Sequence, residues 1–323
     1  MVTLKLNRRH FISAIATTPV LALAADPVFP TRQITIVVAY APGGSTDIVA
    51  RMLAKEMATG LKQPVIVDNR AGGGTAVGTQ AVKRANADGY TLLFGTNAFV
   101  ISSLIQKPTP WDPVKDFEPV GMVTLQALGL FVRPALKISS VPELITYAKA
   151  NPGKLNFASS GNGSAQHLAG EAFAATAGIS MLHVPYKGAG PAIQDLIGGQ
   201  VDLMFTSMVG LSSFIKEKRV ALIATTGKTR STTTPEVPTM AESGVPGFNV
   251  QSWQALFAPP MTPPEVLNKL NAELVRVAKA GVLSEYMKDQ GLDLAIGSPA
   301  ELRAHILQER ETYGRLLKTL TIQ

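Results

Sequence analysis

The chain has 323 residues, a formal net charge of +7 and no cysteine. That length exceeds what one hydrophobic core usually serves, so two domains are expected. With 46% hydrophobic and 16% charged residues the composition excludes a disordered chain, and the lack of cysteine excludes a disulfide framework, a thiolate nucleophile and a thiolate zinc site.

Residues 1–25 read as an export signal. Lys5, Arg8 and Arg9 form a basic head, residues 11–24 a modest apolar stretch broken by Ser13, Thr17 and Thr18, and Ala22-Leu23-Ala24 a small-x-small cleavage site. Asn7-Arg8-Arg9-His10-Phe11-Ile12 resembles a twin-arginine signal, with the general secretory route as the other option. The apolar stretch is short of a ~20-residue membrane span. Cleavage near Ala24 would leave the mature protein in the periplasm. It would remove three basic and no acidic residues, so the mature charge is +4. The remaining basic residues are scattered, with few aromatics between them, which argues against a nucleic-acid surface. A mild positive excess suits anionic ligands.

The first strand is expected at 34–39 and runs into Tyr40-Ala41-Pro42-Gly43-Gly44-Ser45-Thr46-Asp47, with a helix from 48 to 57. A glycine pair between strand and helix lets backbone approach a ligand, and Ser45, Thr46 and Asp47 are good helix N-cap types. The N–H groups and positive dipole end at such a junction form an anion site. Strands follow at 65–68, 91–95, 128–133, 155–159, 181–185, 202–206 and 220–225, and helices at 141–150, 165–177 and 191–197. The alternation predicts a mainly parallel α/β sheet, with ligands beyond the carboxyl ends of its strands. The glycine-rich loops at Gly43-Gly44, Gly72-Gly73-Gly74, Gly161-x-Gly163 and Gly188-x-Gly190 all fall on that side. Residues 229–247 read as loop and 248–260 as a long extended segment. From 263 onward the pattern is all helix, at 264–280, 283–290 and 299–320, with Pro264 and Pro299 at helix starts. The chain is therefore expected to cross to a second lobe near 120–130 and to return near 248–258. Lobe one is 26–125 plus 250–323, and lobe two is 126–249.

Further motifs sharpen the reading. Tyr40-Ala41-Pro42-Gly43-Gly44-Ser45-Thr46-Asp47-x-x-Ala50-Arg51 is followed by Val67-Asp68-Asn69-Arg70-x-Gly72-Gly73-Gly74, Ala87-Asp88-Gly89-Tyr90-Thr91-Leu92 and Asp112-Pro113-x-x-Asp116-Phe117-x-Pro119-Val120. Then come Gly161-x-Gly163-Ser164-x-x-His167-Leu168-Ala169-Gly170, Val184-Pro185-Tyr186-Lys187-Gly188-x-x-Pro191-Ala192, Gly198-Gly199-x-Val201-Asp202, Pro235-Glu236-Val237-Pro238-Thr239 and Pro246-Gly247. This ordered set resembles the Bug family, the substrate-binding proteins of tripartite tricarboxylate transporters, over essentially the whole mature chain. The resemblance implies a type II periplasmic-binding-protein fold: two α/β lobes, a two-segment hinge and a closing cleft. It implies capture of a small mono- or dicarboxylate, delivery to a membrane permease, no catalysis and no cofactor, and a monomer is expected. It also implies that the loops Tyr40 to Ser45 and Ser159 to Ser164 hold one ligand carboxylate by backbone groups and bridging water. Many relatives carry Phe-Asp-Asn where this chain has Phe205-Thr206-Ser207. An acidic residue there would suit a ligand ammonium, so its absence favours simple carboxylates over amino acids.

The candidate ligand-binding residues are Tyr40, Ala41, Gly43, Gly44, Ser45, Thr46, Asp47, Thr96, Asn97, Ser159, Ser160, Gly161, Ser164, Thr206 and Ser207. Serine and threonine hydroxyls can donate to a carboxylate, though Ser164 is equally a helix cap. The Pro42-Gly43-Gly44 loop is not a phosphate-binding P-loop, because no Gly-Lys-Ser/Thr follows. His167 and Glu171 are four apart on a helix, a metal-like spacing, but with no further histidine close in sequence a structural role is expected. His183 reads as core. A hydrolase would want a Gly-x-Ser-x-Gly elbow, which is absent, and Ser164 and His167 share one helix face rather than forming a triad. A binding protein for an inorganic oxyanion remains the nearest alternative.

Overall fold

The computed structural model describes residues 29–290 and 292–318, so the export-signal reading of 1–25 lies outside the described residues. The first lobe begins with β1 (Ile34–Val38), α1 (Ser45–Leu61), β2 (Val65–Asn69), α2 (Ala76–Lys83), β3 (Thr91–Thr96), α3 (Asn97–Ile105) and β4 (Glu118–Ala127). The helices between β1, β2 and β3 return the chain to the same end each time, and β1 pairs in parallel with both neighbours. The second lobe holds β5 (Gly129–Val132), α4 (Val141–Ala150), β6 (Asn156–Ser159), α5 (Ala165–Ala177), β7 (Leu182–Pro185), α6 (Ala189–Ile197), β8 (Leu203–Thr206), α7 (Ser212–Lys216) and β9 (Ala221–Thr225). The chain then returns through β10 (Gln251–Ala258), α8 (Pro264–Lys279), α9 (Val282–Asp289), β11 (Asp293–Leu294) and α10 (Pro299–Leu316).

The sheet orders are β11-β4-β10-β3-β1-β2 and β7-β6-β8-β5-β9. The expectation of a mainly parallel sheet is corrected: both sheets are mixed. β10 runs antiparallel to β3 and β4, β11 to β4, and β5 to β8 and β9. The reason is the hinge. β5 and β10 enter each sheet from the other lobe, so they arrive from the opposite end with no crossover helix to reverse them. β4 and β10 are hydrogen-bonded neighbours, from Gln251 opposite Ala127 to Ala258 opposite Glu118. Only Leu128 separates the first-sheet strand β4 from the second-sheet strand β5, so the hinge is short on that side.

β4 went unread in the sequence because Pro119, Gly121, Thr124 and Gln126 interrupt its apolar run. α3 is buried nearly all round, which erases helical periodicity. The all-helix expectation beyond 263 is corrected by β11, whose backbone pairs with β4. Each lobe has its own core. Phe99, Trp111, Trp253 and Phe257 pack beneath the first sheet, and Phe157, Phe173, Phe205 and Phe248 in the second.

Candidate functional site

Four helix N-termini converge where the lobes meet. β1 delivers the loop to α1, β3 runs directly into α3, β6 leads through residues 160–164 to α5, and β7 leads through Gly188 to α6. Between them lies a tight cavity of about 20 Å³, close to the room one water needs. Two of the four helices cap themselves. Thr96 Oγ1 accepts from the Ala98 N–H at the start of α3, and Ser164 Oγ accepts from the His167 N–H at the start of α5. The other two, α1 behind Gly44 and α6 behind Gly188, have no side-chain cap. An α-helix leaves its first N–H groups without intrahelical acceptors, so α1 and α6 bring unclaimed donors from opposite lobes to one space.

Among the sequence candidates, Tyr40, Ala41, Gly44, Ser45, Thr46, Asp47, Thr96, Asn97, Ser160 and Ser207 line this cavity. The others stand behind its wall or outside it. The Gly43 N–H, with φ at +89°, donates to Asp47 Oδ2 at 3.1 Å. Ser159 Oγ bonds the Gly161 backbone and lies 2.7 Å from His183 Nε2. Gly161 faces an outer groove beside Asn162 and Tyr186, Ser164 serves as the cap of α5, and Thr206 is buried at the end of β8 opposite Gly129. Asn97 borders the cavity, but its carboxamide is spent elsewhere: Nδ2 donates to the Gln251 carbonyl and Tyr313 Oη, and Oδ1 accepts from the Trp253 N–H.

Sequence reasoning missed Gln126, Leu128, Ala165, Gln166, Ala189 and Ser252, which also line the cavity. Ala165, Gln166 and Ala189 are the opening residues of α5 and α6, so helix starts after the glycine loops were the available signal. Gln126 and Ser252 face each other on the unread hinge pair β4 and β10.

No lysine or arginine is among the residues lining the cavity. Arg51 sits nearby but is paired with Asp47 at 2.9 Å. Burial pushes the Asp47 carboxyl up. Bonds from Arg51, the Gly43 N–H and Asn69, with the Arg51 charge, outweigh it and hold the group below its ordinary value. Asp47 is therefore an anion already neutralised on the protein side. Burial pushes the Tyr40 hydroxyl up to about 12, against bonds to Thr96 and Ser160 that pull it down, so it stays a neutral donor. Beside that paired carboxylate, what faces the cavity is a set of neutral dipoles: N–H groups, hydroxyls and the carboxamides of Asn97, Gln126 and Gln166.

The histidines serve the loop beneath. His167 Nδ1 accepts the Gly163 N–H at 3.2 Å, and its ring stacks on His183 with centroids 3.7 Å apart. Burial, then repulsion from His183, lowers His167 to about 3, and burial lowers His183 to about 4, so both are neutral near pH 7. No group of three or more His, Cys, Asp or Glu able to hold a metal exists among the described residues.

The family model described as the tripartite tricarboxylate transporter family receptor, TctC, matches residues 49–322. Three solved structures are similar over 90% of the chain. The periplasmic binding protein BugD has 35% identity and a TM-score of 0.87, with 98% of its own chain covered. Rpa4515 of R. palustris with adipate has 32% identity and a TM-score of 0.87, also with 98% covered. MatC of Rhodopseudomonas palustris with bound malate has 32% identity and a TM-score of 0.85, with 100% covered.

Proposed function

The chain belongs to the tripartite tricarboxylate transporter receptor family, one of solute-binding receptors rather than enzymes, and from that premise we propose that it captures a small organic carboxylate between its lobes and presents it to a membrane permease. In this reading the protein is exported, its signal is removed near Ala24, and it works as a periplasmic monomer. Lobe one is 26–125 with 250–323 and lobe two is 126–249. The relatives solved with adipate and malate support the carboxylate class.

One observation carries the reading: two helices without side-chain caps, from opposite lobes, open onto a cavity lined by no cation. A carboxylate docked there accepts the N–H groups that open α1 and α6, beside Tyr40 and Ser160. Charge-assisted bonds of this kind are the strong ones, and lobe closure strengthens them by excluding water. Neutral donors attract an anion less over distance than a buried arginine would. They leave no unpaired charge when the site empties, so the receptor can release its ligand. Closure also creates the surface that the permease reads.

A thermal-shift screen of the signal-free protein against organic acids, amino acids, phosphate and sulfate tests this. A ligand at about a hundredfold over its Kd adds roughly 2.7 kcal/mol of stability, a rise of several degrees. A rise with carboxylates and none with inorganic anions is expected. A rise with phosphate or sulfate alone would replace the reading with an oxyanion receptor.

A further inference from the structure

The glycine loop between β6 and α5 turns much of its backbone inward. The Gly161 N–H donates to Ser159 Oγ at 3.1 Å, the Gly163 N–H to His167 Nδ1 at 3.2 Å, and the Ser164 N–H to the Gly161 carbonyl at 3.1 Å. Of residues 159–164, Ser160 alone lines the cavity. Two of the three bonds end at histidines. That of Gly163 does so directly, and that of Gly161 through Ser159, whose Oγ lies 2.7 Å from His183 Nε2.

Counting protons fixes both tautomers. A serine hydroxyl has one proton and two lone pairs. Ser159 Oγ takes the Gly161 N–H on one lone pair and gives its proton to the Gly161 carbonyl at 3.2 Å. The second lone pair is left for His183, so all three contacts are hydrogen bonds when His183 carries its proton on Nε2. His167 accepts at Nδ1, so its proton is also on Nε2, on the side of Glu171 Oε1 at 3.6 Å. One ring therefore serves the loop as acceptor and the other as donor. The rings stack within 8° of parallel, and Phe157 packs on His183 at 4.9 Å, which joins α5, β6 and β7 in one block.

The loop so shaped is also what the first lobe meets. Gly163 has φ at +77°, and a Cβ there would stand 3.0 Å from Ser102 Oγ and 3.1 Å from Ile105 Cδ1 of α3. A Cβ at Gly74 would stand 3.1 Å from the Asn162 carbonyl oxygen. Ser160, at the head of the loop, bonds Gln166 Oε1 at 2.9 Å and the Tyr40 hydroxyl of the first lobe.

We propose that His167 and His183 are positioning residues for capture: through fixed tautomers they hold residues 159–164 in the shape that presents Ser160 to the ligand and lets the first lobe close on the loop. The inference rests on the carboxylate reading of the site. Neither histidine lines the cavity, so both act through the loop.

Amide hydrogen exchange of the ligand-free mature protein, with calorimetric titration against succinate, adipate and butyrate, tests it. His167→Leu fills the space without an acceptor. Its Gly163 amide should exchange about tenfold or more faster, and the tightest of the three acids should bind about tenfold or more weaker. His167→Asn, whose side-chain oxygen can accept the Gly163 N–H, should recover both to within about threefold. His183 is half-buried and the milder site for folding. His183→Phe should free the Gly161 amide and weaken binding in the same way, and His183→Gln, which keeps a donor, should restore both. Unchanged exchange and affinity in the Leu and Phe variants would overturn the inference. So would an Asn or Gln variant no better than its apolar counterpart, or a loss of protection spread through α5 and β6, which would mark a merely structural role. Should none of the acids bind the wild type, the carboxylate reading falls and capture with it, while the Gly161 and Gly163 exchange rates still decide whether the histidines hold the loop.

Discussion

Ala41 of the first lobe donates its backbone N–H to the carbonyl oxygen of Lys187 in the second at 2.7 Å. Around this bond the glycine loops of the two lobes meet backbone to backbone. A Cβ at Gly190 would stand 2.2 Å from the Pro42 carbonyl oxygen, and one at Gly188 would stand 3.0 Å from the Ala41 nitrogen. The glycines are needed for the lobes to touch, which ties a sequence feature first read as a ligand loop to closure.

Gly190→Ala should therefore spare the fold and impair capture. Gly190 lies in the first turn of α6, where alanine favours the helix, and its clash exists only across the lobes. Ligand affinity should fall about tenfold or more, the midpoint of unliganded unfolding should hold or rise slightly, and small-angle scattering should show an open form at saturating ligand. Gly44→Val should act alike, since its Cβ would meet Ala189 Cβ at 3.1 Å and Gly190 N at 3.3 Å. Normal binding by both variants would mean that this contact is not part of the liganded state.

Tyr40→Phe should weaken binding without unfolding the protein. The hydroxyl lies 2.9 Å from Thr96 Oγ1 and also bonds Ser160 of the other lobe. Its removal should cost about 0.5–1.5 kcal/mol, a few-fold to about tenfold in Kd by titration calorimetry.

Asp47→Ala should destabilise the first loop. The carboxylate ties Gly43, Arg51 and Asn69 together, so the loss should be about 1–3 kcal/mol in denaturant melts. Because its folded pKa lies below the ordinary value of 3.8, this contribution is present above that value and is lost as pH falls through the folded pKa. The acid limb of the stability profile should flatten in Asp47→Asn, and an unchanged limb would exclude the role.

Glu309 should impose a dependence of the opposite sense. Its carboxylate accepts from Trp253 Nε1 at 2.6 Å and Tyr313 Oη at 2.8 Å, fastening α10 to the hinge strand β10. Burial lifts it from 4.5 to about 7, against the bonds from Trp253, Tyr313 and Asn97. An acid with a raised folded pKa stabilises fully below its unfolded value and loses that stability as pH rises through the folded one. Stability should fall by on the order of 2 kcal/mol between about pH 4.5 and 7 and then level off. Glu309→Gln should lose that slope in thermal melts taken across the range.

Much of this was legible because the signals are local. Strand, glycine loop and helix start recur in order, and α4 and α5 begin and end where their caps dictate, Ser140 and Ser164 at the front and Gly178 behind α5. α1 starts three residues earlier than periodicity suggested, because its first turn of Ser45, Thr46 and Asp47 carries no apolar stripe. The hinge was less legible. Thr124, Gln126, Ser252 and Gln254 are polar yet buried, and polarity along a strand reads as solvent exposure until the partner strand is known. Gln126 became visible only when β4 and β10 were seen side by side. Asn97 failed in the other direction: a polar residue after a strand suggests a ligand contact, but its carboxamide is consumed by Gln251, Trp253 and Tyr313.

The site itself is most directly tested by a crystal structure of the mature protein with the carboxylate that raises its melting temperature most. The expected density places one carboxylate against the N–H groups opening α1 and α6, beside Tyr40 and Ser160, with no lysine or arginine side chain in contact. A ligand held by a basic side chain, or bound away from residues 40–47 and 188–190, would contradict the dipole-lined site described above.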